Sequence, residues 1–238
     1  MRPFTLRSAI VELRVPEAAD VPAIVEACRD DATQRFTTVP SPYGRADAQF
    51  FLDRIVDHGW ATGRELTWGL RAPGSSELVG MVSIRTAARD VGFWTAPAAR
   101  GRGLMTEAVR LVADWALGEG GLADIRWEAY VGNDASAAVA RRAGFTFTGV
   151  APGRNPGRDG SLPLCWHGRL SAGDDRSPVS GWPAPGAARE FPRVGGVEAR
   201  VETRAEPADD RPAPGSAARA SSPAAAPAAA APTAPENP

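Results

Sequence analysis

The sequence predicts an α/β fold of the α+β kind: a mixed, mostly antiparallel sheet flanked by helices, followed by a disordered Pro/Ala-rich tail. Three observations predict it. Short runs rich in Val, Ile, Trp and Phe alternate with helical segments in the order β-α-α-β-β-β-α-β-α-β-β, which mixes antiparallel neighbours with one βαβ crossover. Leu104, Ala108, Leu111, Val112 and Trp115 recur at one-face helical spacing, so Leu104–Leu117 is a helix. Finally, 12 of the 22 prolines fall in residues 171–238, which end SSPAAAPAAAAPTAPENP and hold few aliphatic residues to bury. The expected organisation is one domain over residues 1–170, long enough for a single core, and a tail over 171–238.

The elements follow in order. Residues 10–15 alternate as a strand, and Asp20 then caps a helix with Val21, Ile24, Val25 and Cys28 on one face and Pro22 in its first turn. After the turn-rich stretch 37–47, Asp47 caps a second helix that turns Phe50, Phe51, Ile55 and Val56 inward and ends before Gly59. Leu66–Ala72, Leu78–Arg85 and Asp90–Thr95 read as an antiparallel meander. Beyond Leu104–Leu117, a Gly-Glu-Gly-Gly break leads to a strand over Ile125–Val131 and a short helix, Asp134–Ala143, closed by Gly144. Strands over Phe145–Gly149 and Leu162–Leu170 complete the domain, and no internal repeat is present.

Charge and cysteine content narrow the classes. The net charge of −1 offers no electrostatic footprint for nucleic acid. All 27 basic residues are arginine, which with the Ala/Pro/Gly richness points to a coding bias. Cys28 and Cys165 form neither a disulfide framework nor a metal-ligand spacing, so a reducing compartment and no metal are expected. Neither an apolar leader nor an 18-residue apolar run occurs, so the chain is expected to be cytoplasmic, with no membrane partner, as a monomer or homodimer.

The stretch Arg100-Gly101-Arg102-Gly103-Leu104-Met105 follows a predicted strand and opens the long helix. Glycines at such a turn let backbone N–H groups approach an anion, and a helix N-terminus adds positive potential, so a diphosphate suits the place. Taken alone, the turn also reads as an exposed loop. One strand and one turn later comes Asn133-Asp134-Ala135-Ser136, leading to Ala143-Gly144-Phe145. There Asp134 and Gly144 also read as plain helix caps.

Together these segments resemble the GNAT (GCN5-related N-acetyltransferase) superfamily, and within it the RimJ/RimL type, over about residues 8–170. Arg100-x-x-Gly103 resembles the family's pyrophosphate loop, and Asn133-x-x-Ser136 its second motif. Gly92-Phe93-Trp94 and Pro40-Ser41-Pro42-Tyr43 resemble further family segments. Met105 departs from the family's Gly or Ala; of crowding the pyrophosphate or pointing away while only its backbone is used, the second is expected. The resemblance implies a GNAT fold that binds acetyl-CoA as co-substrate in a splay between the fourth and fifth strands. It implies direct transfer to an amine, either a protein N-terminus or a small molecule. Phe93, Trp94, Arg100, Gly101, Arg102, Gly103, Leu104, Met105, Asn133 and Ser136 would then hold the cofactor.

Transfer to an amine requires a base for an arriving ammonium and a proton donor for the departing thiolate. Asp90 at the start of the fourth strand and Glu128 within the fifth are the candidate bases, each of which also reads as a solvated carboxylate. Glu107 is read as complementing the helix dipole. Family members often use a Tyr on this helix, but none lies within 134–144; the resemblance to RimL-type enzymes implies Ser136 as the candidate acid, with N-capping as its competing role and Tyr130 in reserve. Cys165, His58 and His167 are read as core or surface residues, so no acyl-enzyme is expected. A degenerate acyl-CoA-binding regulatory module and a tail-dominated interaction protein remain as alternatives. The stretches Thr37–Tyr43 and Arg154–Leu162, with Asp159 as an acid among arginines, are expected to shape an acceptor pocket suited to an acidic or neutral acceptor end.

Overall fold

The computed structural model describes residues 1–177 and 180–186. Eight strands form one sheet: β1 (Leu6–Arg7), β2 (Glu12–Arg14), β3 (Glu65–Arg71), β4 (Gly80–Arg85), β5 (Asp90–Thr95), β6 (Asp124–Tyr130), β7 (Thr146–Pro152) and β8 (Leu164–Ser171). Their order is β1-β2-β3-β4-β5-β6-β8-β7. Every neighbouring pair is antiparallel except β5 and β6, which are joined by the crossover helix α5 (Leu104–Leu117). The mixed sheet flanked by helices is the predicted class. The core is rich in large apolar groups: Trp68, Trp127, Trp166, Phe145 and Ile84 are all fully buried. Phe4, Trp60 and Trp115 pack edge-on or tilted around Trp68 at centroid distances of 5.1–5.9 Å and tie the N-terminus and α5 to β3.

The N-terminal half departs from the sequence reading in detail. The strand expected over 10–15 is a hairpin of β1 and β2, because Ser8 N–H donates to the Val11 carbonyl (2.9 Å) and turns the chain; Ile10 lies exposed at the bend. Asp20 does not cap α1 (Val21–Arg29) with its side chain. Its carboxylate accepts from Glu17 N–H (2.8 Å) and from the fully buried Arg71 guanidinium (2.5 Å), pinning α1 to β3 by an interior ion pair. Such a pair costs desolvation, so its yield is a fixed position for α1 more than net stability.

A short helix, α2 (Asp31–Phe36), occupies ground read as turn, capped by Asp30, whose Oδ2 accepts from Thr33 N–H (3.0 Å). Next, α3 (Arg45–Phe50) starts at Gly44, and Asp47 acts from its third position by accepting from Gly44 N–H (2.8 Å). A π-helical stretch, Phe51–Val56, follows and runs on into α4 (Asp57–Thr62). That wider turn rotates the buried face, so Leu52 and Val56 point inward while Phe50 and Ile55 are exposed, against the expectation for the last two. Gly59 lies inside α4, where a Cβ would clash with the Glu65 carbonyl; Gly63, at φ 70°, ends the helix instead. In the C-terminal half, α5 and α6 (Asp134–Ala143) keep the predicted bounds, although Asn133 rather than Asp134 provides the cap.

The chain remains on the domain after β8. Residues 171–177 and 180–186 are held by Arg176 pairing with Asp114 of α5 (2.5 Å) and by the Trp182 ring against Trp127 (5.5 Å) and Phe147 (5.6 Å). A boundary at Leu170 is therefore too early. The remainder of the tail expected over 171–238, apart from these residues, lies outside the described residues.

Candidate active site

Two parallel strands that part company create the site. β5 and β6 are registered at a single pair, Asp90↔Arg126, beside which Arg126 N–H donates to the Arg89 carbonyl (2.6 Å). Further along, β5 keeps only β4 as partner, and β6 only β8. The opening is a cleft of about 510 Å³. Phe93 and Trp94 of β5 form one wall, the turn Arg100-Gly101 with Gly103, Leu104 and Met105 forms the end, and Asn133 and Ser136 form the other wall. Of the ten residues expected to hold the cofactor, Arg102 alone does not line this cleft. Thr33 and Phe36 of the unforeseen α2, with Thr37 just after it, close a further side.

The end of the cleft is built for an anion. Gly101 (φ 75°) and Gly103 (φ 78°) adopt left-handed backbone that L side chains resist, and this turn delivers the chain into α5. The first-turn N–H groups of α5 have no intrahelical acceptors, and its dipole adds positive potential there. Met105 is buried, and its Cε lies 3.1 Å from where a Cβ on Gly80 would stand; the glycine in β4 makes room for a side chain that points under the helix. Arg100 spends its side chain elsewhere. Nε donates to the Thr95 carbonyl (3.0 Å), and the guanidinium grips both oxygens of Asp30 (2.5 and 3.4 Å). That hydrogen bond holds the Asp30 carboxyl below its ordinary range.

On the opposite wall, the side-chain oxygen Oδ1 of Asn133 caps α6 by accepting from Ser136 N–H (3.1 Å). Ser136 Oγ accepts from the indole N–H of Trp127 (3.0 Å), so its own hydroxyl proton stays free for another acceptor. Sequence reasoning passed over Trp127 as strand filler. The available signal was a buried indole, which needs an acceptor for its N–H.

The two candidate bases have different surroundings. Asp90 is buried at the paired end of the splay, with both oxygens held by Arg85 (2.7 and 2.7 Å), and neither it nor Glu128 is part of the cleft lining. Glu128 lies opposite His167 in the β6–β8 register. Its carboxylate accepts from Arg154 N–H (3.2 Å) and Asn155 Nδ2 (3.2 Å), with Arg154 Nη1 and His167 Nδ1 each at 3.8 Å. The loop 153–163 that supplies these partners also reaches α2, where Arg158 donates to the carbonyls of Gln34 and Thr37. Asp159 is tied locally to Ser161 N–H (3.0 Å) and Oγ (2.7 Å). Glu107 lies 3.9 Å from Arg110. Burial, reinforced by the Glu128 charge, pushes the Cys165 thiol up to about 12, so it stays protonated and is a poor nucleophile. Burial also raises Tyr130, while His58 is exposed on α4. Among the described residues no metal-holding cluster of His, Cys, Asp and Glu occurs, and no helix is long and apolar enough to cross a membrane.

Comparison with known proteins agrees with this geometry. The model of the acetyltransferase (GNAT) domain matches residues 11–146. Among solved structures, RimL, the ribosomal L7/L12 alpha-N-protein acetyltransferase in complex with coenzyme A, is 19% identical, with a TM-score of 0.61 over 72% of this chain and 100% of that one. RimJ of Mycobacterium smegmatis, in complex with CoA-disulfide, is 20% identical, with a TM-score of 0.62 over 75% of this chain and 93% of that one. The microcin C7 self-immunity acetyltransferase MccE, in complex with acetyl-CoA and AMP, is 17% identical, with a TM-score of 0.59 over 69% and 93%. With its family domain matched over more than half its length and a strand splay ending at a bare helix N-terminus, the chain belongs to the GNAT acetyltransferase family.

Proposed function

We propose that the protein transfers the acetyl group of acetyl-CoA directly to a primary amine, at a protein N-terminus or on a small molecule, within a ternary complex. The observation that carries this reading is the cleft that joins an unpaired β5 edge, the first turn of α5 and the Ser136 hydroxyl. The pyrophosphate would lie on the amides after Gly101, with the pantetheine arm along β5 and beside the Asn133 amide. The amine nitrogen attacks the thioester carbon, and a β5 backbone N–H receives the oxyanion. The carbon–sulfur bond then breaks, the thiolate takes the Ser136 proton, which the Trp127 bond leaves unengaged, and Ser136 recovers a proton through water from Glu128, so that the proton lost by the amine ends on the CoA thiol. Glu128, through water, takes the proton that the amine loses. It is preferred to Asp90 because the Arg85 guanidinium grips both Asp90 oxygens at 2.7 Å, whereas the donors bonded to Glu128 are a backbone N–H and an amide at 3.2 Å.

As acceptor we favour a peptide N-terminus followed by acidic or neutral residues, because Arg154 and Arg158 belong to the loop beside Glu128. The RimL relative is itself an alpha-N-protein acetyltransferase. The test is a free-thiol assay with acetyl-CoA and panels of N-terminal peptides, polyamines and aminoglycosides, with product mass measured. Release of CoA matched by acetylated amine is expected. Binding of acetyl-CoA with no turnover on any amine would favour the regulatory-module alternative. Gly103→Asp places a carboxylate on the anion-accepting turn, and calorimetry should show CoA affinity falling at least tenfold, or about 1.4 kcal/mol. Glu128→Gln and Ser136→Ala should each lower kcat by roughly tenfold or more while CoA still binds, and the Gln variant should alter the pH profile. Asp90→Asn should leave that profile unchanged.

A further inference from the structure

The segment after β8 is fastened to both ends of α6, the helix that carries Ser136. At its C-terminal end, Gly144 (φ 98°) has no side chain, and a Cβ there would stand 2.5 Å from Cβ of Arg176, so that residue seats directly over the helix stop. Arg176 is held there by its ion pair with Asp114 of α5 (2.5 Å). At the N-terminal end, Gly186 N–H donates to Oδ2 of Asp134, the first residue of α6 (3.0 Å). Between these clamps Trp182 lies against Trp127 (centroids 5.5 Å apart, planes at 51°) and Phe147 (5.6 Å, 45°). Gly168, opposite Trp127 in the β6–β8 register, leaves room for both indoles: a Cβ there would lie 3.2 Å from Trp127 Cε3 and 3.6 Å from Trp182 Cη2. The Trp127 indole in turn donates to Ser136 Oγ.

We propose that residues 172–177 and 180–186 form a positioning strap in which Trp182 fixes the Trp127 indole, and through it the Ser136 hydroxyl, for protonation of the leaving thiolate. The link to catalysis rests on the role given to Ser136 in the proposed function. The segment lies beyond residues 11–146, the stretch matched by the family domain. Trp182 touches no substrate in this scheme. It acts through its packing on Trp127 and the Trp127–Ser136 hydrogen bond, and a displacement of Ser136 by an ångström would be costly because positioned groups lose rate steeply with misplacement.

The experiment uses the full chain with Trp182→Ala, Trp182→Phe, Ser136→Ala and the double variant Trp182→Ala/Ser136→Ala. It reads kcat and KM for acetyl-CoA, together with amide hydrogen exchange over residues 133–137. Trp182→Ala should lower kcat roughly tenfold with the acetyl-CoA KM within about threefold, raise exchange at 133–137, and be largely rescued by Trp182→Phe. In the Ser136→Ala background the same substitution should change kcat by less than about twofold, because both act on one proton transfer. An equal loss in both backgrounds, or wild-type exchange and kcat in Trp182→Ala, overturns the proposal. Should Ser136→Ala by itself retain wild-type kcat, the assignment of the acid fails, and exchange alone decides on the strap: raised exchange at 133–137 in Trp182→Ala upholds its hold on α6, and unchanged exchange removes it. If Trp182→Ala does not fold, Trp182→Phe carries the same comparison, with a smaller kcat loss that vanishes in the Ser136→Ala background as the expected result and a loss equal in both backgrounds as the contrary one.

Discussion

Asp30 and Arg100 show how one pair of side chains joins two sides of the cleft. Asp30 caps α2, which closes the cleft, while Arg100 belongs to the glycine turn before α5. Because the hydrogen bond from Arg100 lowers the Asp30 carboxyl below its ordinary value, folding favours the ionised form. The stabilisation is therefore present above the unfolded pKa, near 3.8, and is lost as pH falls through the lower folded value. Thermal melting of wild type and Asp30→Asn between about pH 2 and pH 7 checks this against the ordinary carboxylate range. The wild type should be the more stable at neutral pH, and the gap should narrow on acidification.

At the scale of elements, α2 and the loop 153–163 depend on each other. A six-residue helix has no stability of its own in water, so α2 persists through its cap and the donors that reach it from Arg100 and Arg158. Arg158→Ala removes the only described bonds from that loop to Gln34 and Thr37 and should loosen the acceptor side selectively. The acceptor KM should rise by roughly threefold or more, in line with about 1 kcal/mol for a lost hydrogen bond, while the acetyl-CoA KM stays put. Steady-state kinetics with each substrate varied in turn make the measurement. The π-helical turn at 51–56 is a similar case of context over pattern: Ile55 and Phe50 fit an inward stripe for an α-helix and face solvent once the turn widens.

For the whole molecule, the limit of the folded domain is the measurable quantity. A chain ending after Leu170 loses Arg176, Trp182 and Gly186, so it should melt several degrees lower, corresponding to about 1–2 kcal/mol of lost aromatic burial. A chain ending after Gly186 should keep the wild-type melting temperature and kcat, since the Pro/Ala-rich remainder offers little apolar surface against an ordering cost of about 1–2 kcal/mol per residue. Calorimetric melting of both truncations decides where the domain ends.

What this sequence determined by itself was whatever acts over a few residues. Helical periodicity set α5 and α6 at their observed bounds, and a glycine turn before a helix marked the place for an anion, because φ > 0 and unsatisfied first-turn N–H groups are local properties. Only the tertiary structure decided how the two candidate carboxylates are partnered. Asp90 and Glu128 look alike in a strand pattern, yet a bidentate Arg85 occupies one, while loop 153–163 and His167 surround the other. The same holds for the Ser136–Trp127–Trp182 chain of contacts and for Met105 beneath its helix with Gly80 cleared for it. These relations join residues far apart in the chain, and they arise from strand register and from burial competing for each polar group's partners. Neither leaves a periodic trace in the sequence.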